Sequence, residues 1–177
     1  MLTKVKPKTL ENGTEPEGKR ILFVCTGNTC RSPMAAALYN ARYTDGETKA
    51  FSAGLAADGS GISRYAMLAL LGAGVRSVEG NDYLSHVSHT VSEEDMVRAD
   101  LVIGITGRHA LQLMMTYPAY AGKITALPVD IADPYGGDAE VYTRCLEQID
   151  RALAQMFLPS ESDAEEGMSE GEPEVGQ

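Results

Sequence analysis

Two residues that could act together on a bound anion, Cys25 and Arg31, lie six positions apart between a predicted strand and a predicted helix. Residues 21–24 form the β-branched and aromatic run of a buried strand, and residues 33–38 favour a helix. Backbone N–H groups at such a junction converge on an anion beside the positive end of the helix dipole. The planar guanidinium of Arg31 can bind two phosphoryl oxygens, and the same field favours a nucleophilic thiolate at Cys25. The loop therefore predicts phosphoryl transfer to sulfur.

The other residues of this loop suit the same interpretation. Gly27 and Asn28 tolerate the left-handed backbone conformations that a nest of N–H groups requires. Ser32 is expected to cap the helix, with Pro33 at its first position. The alternative is that the two loop cysteines are ordinary buried residues in a tight turn, since free cysteine is among the most buried types. The agreement of strand, small-residue loop, arginine and capped helix favours the anion site.

Asp133 is the candidate for an acid that works with this loop. Splitting a leaving group from phosphorus needs a carboxylic acid, which protonates the leaving group and then activates water. Segment 127–138 is rich in turn formers, so it could bring a carboxylate to the site, although a plain connecting loop is the alternative. Two further aspartates in the segment are rivals. Asp138 is expected to cap the last helix, and Asp130 lacks the following proline that stiffens the loop around Asp133.

The loop resembles the signature of the low-molecular-weight protein-tyrosine-phosphatase family, which reads cysteine, five residues, arginine and then serine or threonine, as here. Further landmarks in the family's order are Ser52-Ala53-Gly54, Ala99-Asp100-Leu101-Val102 and Asp133-Pro134. The resemblance implies that Cys25 is the nucleophile, Arg31 binds the phosphate and Asp133 is the general acid. It also implies that Asn28 and Ser32 hold the loop and the sulfur in place. The substrate-binding residues that follow from it are Thr26, Gly27, Asn28, Thr29, Cys30, Ser32 and Tyr135.

Within this family, two positions indicate the substrate. Thr29 is small and polar where the phosphotyrosine enzymes usually carry a bulkier aliphatic residue, and the acid loop lacks the second aromatic residue that those enzymes more often place after Tyr135. Both features resemble the protein arginine phosphatase branch, in which a threonine leaves room for the guanidinium of phosphoarginine and can contact it. Tyr135 would then wall the pocket, and Asp133 could accept hydrogen bonds from the guanidinium. We therefore favour phosphoarginine over phosphotyrosine as the substrate. The preference depends on one or two pocket contacts.

Three other functions stay open. A phosphate-binding module would keep the loop without turnover, although a mere binder needs no Asp133. A redox sensor would use a disulfide between Cys25 and Cys30, as vicinal loop cysteines form in related phosphatases, whereas a packed Cys30 is the alternative. Arsenate reduction relays a disulfide through further cysteines, but Cys145, the one cysteine beyond the loop, lies on an apolar helical stripe that predicts a core position.

The histidines indicate a supporting role at most. His86 lies in a stretch resembling the one from which a family histidine supports the phosphate loop, and a partly buried, satisfied side chain is the alternative. His89 and His109 are expected at the surface. Histidines this scattered, without cysteine or carboxylate partners at ligand spacing, predict no metal site, and no cofactor is expected.

Alternating strand and helix patterns predict a single-domain α/β three-layer sandwich, with a four-stranded parallel sheet and helices on both faces. The phosphatase domain is expected over residues 19–158, between a flexible extension at 1–18 and a disordered acidic tail at 159–177. That tail holds seven acidic residues and no lysine or arginine, and so supplies most of the net charge of −10. Strands are predicted near residues 20–25, 49–53, 100–105 and 123–127, and helices near 33–44, 61–73, 92–98, 107–117 and 138–158.

Composition narrows the location and the partners. No segment is long and apolar enough to span a bilayer, and the first residues lack the apolar core of a secretion signal, so we predict a cytoplasmic protein. The acidic balance excludes a basic nucleic-acid surface. The expected partners are phosphorylated proteins as substrates, and the sequence leaves the oligomeric state open.

Overall fold

The computed structural model describes residues 18–158 of the chain. Apart from Gly18, the predicted extension at 1–18 and the predicted tail at 159–177 lie outside these residues. The strands are β1 Arg20–Cys25, β2 Lys49–Gly54, β3 Leu101–Gly104 and β4 Ile124–Ala126. The helices are α1 Arg31–Arg42, α2 Arg64–Gly72, α3 Glu93–Arg98, α4 Gly107–Thr116 and α5 Ala139–Phe157, with short 3₁₀ helices at Tyr83–Ser85 and Pro118–Lys123. The predicted α/β architecture is confirmed.

The four strands form one parallel sheet in the order β2-β1-β3-β4. The chain passes from β1 to β2 on one side and then crosses to β3 on the other, so the order reverses at β1. In open α/β sheets, ligands bind outside the carboxyl ends of the strands at such a switch point. Cys25, the last residue of β1, lies at that point.

Alternate residues of the sheet enter two separate cores. Ile21 and Phe23 pack in the core that α1, α2 and α5 cover, whereas Leu22 and Val24 pack in the core that α3 and α4 cover. A sheet covered on both faces requires strands that are apolar throughout, which explains the unbroken run in β1. Within residues 18–158, no helix combines the length and hydropathy needed to cross a membrane.

The start of α1 differs from the prediction. The helix begins at Arg31, and the residue before it, Cys30, makes no side-chain capping bond. Ser32, the predicted cap, instead places its hydroxyl 3.0 Å from the sulfur of Cys25. Pro33 is the third helical residue, where the N–H that proline lacks would still have no partner inside the helix. The buried contacts of the loop therefore override the ordinary capping preference of serine.

A side-chain amide occupies part of the outer edge of β2. Asn40 on α1 accepts a hydrogen bond from Ala50 N at 2.8 Å, and its Nδ2 donates to Ala50 O at 2.9 Å. Near the other end of β2, Gly54 N donates to His89 O, and Gly54 O accepts from Val91 N. Backbone groups of this edge strand are thus bonded within the molecule at both ends.

Candidate active site

A cavity of about 250 Å³ opens beyond the carboxyl end of β1. Of the eleven residues that line it, nine are predicted site residues, and the other two are Ala56 and Asp58 from the segment after β2. Ser32 lies behind the loop rather than in the cavity. The lining residues are Cys25, Thr26, Gly27, Asn28, Thr29, Cys30, Arg31, Ala56, Asp58, Asp133 and Tyr135.

Asn28 fixes the shape of the loop. Its φ is 56°, the left-handed region that asparagine tolerates better than most residues, whereas Gly27, the other predicted position, has no positive φ. The side chain is fully buried. Its Nδ2 donates to Ser32 Oγ and Ser52 Oγ, both at 2.9 Å, and its Oδ1 accepts from His89 N at 3.1 Å. These bonds hold the turn while its backbone curls around the cavity.

Gly54 allows the end of β2 to pass close behind this turn. A Cβ atom at Gly54 would lie 2.6 Å from Thr26 O and 3.0 Å from Asn28 Cβ, both closer than normal packing allows. The backbone of the loop therefore rests directly on the neighbouring strand. The Ser52-Ala53-Gly54 landmark has a steric reason at its last position.

The sulfur of Cys25 lies among hydrogen-bond donors. Asn28 N donates to it at 3.3 Å, and Ser32 Oγ lies 3.0 Å away. Because Ser32 Oγ accepts from Asn28 Nδ2, its own proton is left to donate to this sulfur or to Ala53 O, which is 3.3 Å away. The sulfur is thus held in one position at the floor of the loop, which suits a nucleophile.

Arg31 and Asp133 meet at the cavity wall. Arg31 Nη2 donates to Asp133 Oδ2 at 2.8 Å, and Nη1 donates to Ile131 O at 3.2 Å. Arg31 Nε is buried and has no hydrogen-bond partner among the described residues, although the side chain is only 7% exposed. A buried guanidinium N–H without an acceptor, at the start of a helix beside the cavity, suits an anion. Asp133 is 52% exposed and faces the same cavity.

The acid loop is braced on both sides of Asp133. Gly137 N donates to Pro134 O at 2.9 Å across a turn in which Gly136 has a φ of 81°. Asp138 caps α5 through Val141 N, as predicted, and Asp130 accepts from Gly107 N at 2.8 Å. Both rival aspartates are therefore engaged elsewhere, and neither lines the cavity that holds Cys25.

His86 contacts the loop as the resemblance implied. Its Nε2 lies 2.7 Å from Asn28 O, and a carbonyl can only accept, so Nε2 carries the proton and donates. Burial lowers the pKa of His86, which keeps the ring neutral. His89 is exposed, as predicted, although its backbone N–H supports Asn28.

The prediction that His109 lies at the surface is wrong. It is 7% exposed, and its Nε2 lies 3.0 Å from Thr26 Oγ1. Thr106 N donates to Nδ1 at 3.2 Å, so the proton of the neutral ring lies on Nε2 and is donated to Thr26. Burial and then the charge of Arg31 lower the pKa of His109 to about 4. The Thr106-x-x-His109 spacing at a predicted helix start is a variant of the capping box, and it could have indicated an inward ring.

Of the remaining cysteines, Cys30 lines the cavity and Cys145 does not. Cys30 Sγ is 3.3 Å from Tyr142 Oη and 3.4 Å from Ser63 Oγ, and the three cysteines are free. Cys145 lies on the buried side of α5, in the core, as predicted, and burial raises its pKa to about 12. The redox pairing of Cys25 with Cys30 stays a prediction.

Comparison with known proteins agrees with this geometry. The model of the family described as low molecular weight phosphotyrosine protein phosphatase matches residues 20–167. The chain belongs to this family. It is therefore a phosphatase of the cysteine-based, low-molecular-weight class, whose members act on phosphorylated proteins.

Individual relatives differ in the substrate that their names give. The chain is 34% identical to the protein-arginine-phosphatase of Bacillus subtilis over 77% of its own length and 93% of the relative. It is also 34% identical to the low molecular weight protein-tyrosine-phosphatase PtpB of Staphylococcus haemolyticus, over 73% and 91%. Among solved structures, the low molecular weight protein tyrosine phosphatase of T. tengcongensis aligns with a TM-score of 0.71 at 36% identity, covering 78% of this chain and 97% of that one.

Proposed function

We propose that this low-molecular-weight phosphatase removes phosphate from phosphoarginine in proteins, through a thiophosphate intermediate on Cys25. One observation carries the chemistry: Asp133, which lies 102 positions after Arg31 in the sequence, lines a single cavity together with Arg31 and Cys25. No metal or other cofactor takes part in the proposed reaction. A nucleophile that works as a thiolate also supports a cytoplasmic, reducing location.

In the first step, the Cys25 thiolate attacks phosphorus and the bond from phosphorus to the guanidinium nitrogen breaks. Asp133, as a carboxylic acid, donates its proton to that nitrogen, so arginine leaves as a stable cation. The loop N–H groups and Arg31 bind the equatorial oxygens, where charge is greatest during transfer. Arg31 Nε is already free of other partners among the described residues.

In the second step, Asp133 works in reverse. As a carboxylate it accepts a proton from a water molecule while the water oxygen attacks phosphorus. The bond from sulfur to phosphorus breaks, inorganic phosphate leaves, and Cys25 returns to the thiolate that Ser32 and Asn28 stabilise. The proton that Asp133 donated in the first step is thereby restored, and the cycle closes.

The choice of phosphoarginine rests on the cavity wall and the relatives. Thr29 lines the cavity with a short hydroxyl side chain, which leaves space beside the phosphoryl position and offers an oxygen to a guanidinium. Tyr135 lines the same cavity, and its side chain is largely exposed. The similarity to a protein-arginine-phosphatase extends over most of both chains. Phosphotyrosine is the second candidate, because a relative named for that activity is equally identical.

The test compares kcat/KM for peptides of one sequence that carry either phosphoarginine or phosphotyrosine. We expect the parent to prefer phosphoarginine and the variant Thr29→Ile to lose that preference, with Cys25→Ser as the blank. A preference for phosphotyrosine in the parent would move this chain to the tyrosine phosphatases. Phosphate binding without turnover of either peptide would indicate a binding module instead.

A further inference from the structure

A second carboxylate, which the proposed reaction does not use, lines the candidate active site. Asp58 lies on the rim of the cavity that contains Cys25, Asp133 and Tyr135. It belongs to the segment that follows β2, which contains no motif of its own. Its presence calls for a physical account because a phosphate-binding site is ordinarily surrounded by positive charge.

Backbone hydrogen bonds hold the segment that carries Asp58 against the phosphate loop. Leu55 N donates to Cys25 O, and Ala56 N donates to Thr26 O, both at 2.9 Å. Farther along, Ser63 N donates to Thr29 O at 2.8 Å. The segment is therefore attached to the loop before and after Asp58, so the carboxylate keeps a defined place relative to the phosphoryl position.

The carboxylate of Asp58 is charged and available. Ser60 N donates to Oδ1 at 3.0 Å, and hydrogen bonds from Ser60 lower the pKa of Asp58. The side chain is exposed, and it forms no ion pair with any residue in the 18–158 range. Asp133, by contrast, already has Arg31 as its partner. Of the two carboxylates that line the cavity in the described residues, Asp58 is therefore the one without a cationic partner.

We propose that Asp58 is a specificity-determining residue that binds the guanidinium of phosphoarginine while the loop binds its phosphate. This inference rests on the proposed function. A phosphoarginine side chain carries a positive guanidinium directly beside the negative phosphoryl group, so a carboxylate at the rim attracts the part that enters last. A phosphotyrosine side chain has a neutral ring at that place, and the carboxylate only repels its phosphoryl charge. Asp58 therefore favours one substrate and disfavours the other.

The test is the variant Asp58→Asn, whose amide oxygen can still accept from Ser60 N. We expect kcat/KM for the phosphoarginine peptide to fall about tenfold, mainly through KM, as the loss of one pocket contact does. The value for the matched phosphotyrosine peptide should rise, because a like charge has been removed. Raising the ionic strength should weaken the parent's preference more than the variant's, since the carboxylate acts through its charge.

Asp45→Asn is the matched control. Asp45 is also an exposed aspartate that accepts backbone N–H bonds in a turn, with a pKa that hydrogen bonds from Thr48 lower. It precedes β2, at the opposite end of the sheet from Cys25, so it changes the net charge equally without touching the cavity. The control should keep the parent's preference for phosphoarginine.

The outcomes separate this inference from the proposed function. If the parent prefers phosphoarginine and Asp58→Asn leaves the ratio of the two kcat/KM values unchanged, Asp58 plays no part in selectivity and only this inference fails. An equal fall for both peptides would show a structural role and would also overturn it. If the parent does not turn over phosphoarginine, the proposed function fails, and the inference fails with it.

Discussion

At the scale of single residues, Asn28 makes several of the contacts that hold the phosphate loop in shape. Its side chain bonds to Ser32, Ser52 and the backbone of His89, and its carbonyl accepts from His86. Its backbone also adopts the left-handed conformation that a non-glycine residue adopts at a cost. One buried residue therefore connects the nucleophile's neighbours to two other segments of the chain.

Two substitutions at Asn28 separate the effect of its side-chain hydrogen bonds from that of its left-handed backbone conformation. Asn28→Ala should remove the side-chain bonds and strain the backbone, whereas Asn28→Gly removes the bonds alone. We expect both to lower kcat by about 100-fold, and the alanine variant to unfold with about 1 kcal/mol less free energy than the glycine variant. Steady-state kinetics and urea unfolding measure the two effects. Equal stability of the variants would mean that the backbone conformation is not maintained without the side chain.

His109 acts on the loop through the Thr26 hydroxyl, and its replacement should show that dependence. His109→Phe keeps the ring but cannot donate, so we expect kcat to fall about tenfold. His109→Gln, which can place an amide N–H near the position of Nε2, should restore most of the loss. The variant Thr26→Val supplies the cross-check. If His109→Phe lowers kcat as much in a Thr26→Val background as in the parent, the hydroxyl is not the route.

At the scale of elements, the acid loop depends on the turn that leads into α5. Gly136 adopts a φ of 81°, and open space surrounds the position where its Cβ would lie, so only the backbone conformation opposes a larger residue. The turn sets the direction of the chain between Asp133 and the helix. A change in its conformation would therefore move the acid and leave the phosphate loop in place.

The variant Gly136→Ala tests this separation. We expect it to cost about 1 kcal/mol in unfolding free energy and to lower kcat for the peptide substrate severalfold. The Ki for inhibition by inorganic phosphate should change little, since the loop is retained and Arg31 keeps its hydrogen bond to Ile131 O even where Asp133 moves away from it. A weakened phosphate Ki would show that the turn and the phosphate loop are coupled.

A site residue can be predicted from the sequence when the residues that position it are adjacent in the chain, and not when they are distant. Cys25, Arg31 and the ends of β1 are predictable because strand pattern, loop and helix are adjacent in the chain. Asp58 is not predictable, and the capping pattern of His109 indicates an inward ring but not its partner, because both residues reach the site through pairings between distant residues. His109 meets Thr26 across 83 positions, and Asp58 is placed by backbone bonds that carry no side-chain signature. The cap at Ser32 fails for a related reason, since its hydroxyl is used by a buried network that local preference does not describe.

At the scale of the whole molecule, two neutral histidines at the site, His109 buried and His86 half-buried, make the stability of the fold depend on pH. Both His86 and His109 have a lowered pKa in the folded state, that of His109 moving from 6.5 to about 4. Between these values the unfolded chain binds a proton that the folded chain does not. Stability therefore falls as the pH falls from about 6.5 to about 4, and the dependence on His109 ends below that range.

The variant His109→Gln should flatten this dependence. One proton taken up on unfolding changes the unfolding free energy by about 1.4 kcal/mol per pH unit, so the variant's slope between pH 4.5 and 6 should be lower by up to about that amount. Urea unfolding at four or five pH values measures it. An unchanged slope would mean that His109 binds its proton equally well in both states, contrary to its buried position.

The bonds along the outer edge of β2 bear on how these molecules behave when they are crowded together. A free strand edge invites pairing with a second chain, which is a common start of aggregation. Here the amide of Asn40 imitates a neighbouring strand at Ala50, and the segment around His89 does so at Gly54. The opposite edge, β4, is three residues long. The sheet therefore has little free edge with which a second copy could pair. Asn40, which takes no part in the chemistry, thus contributes to resistance against fibre formation.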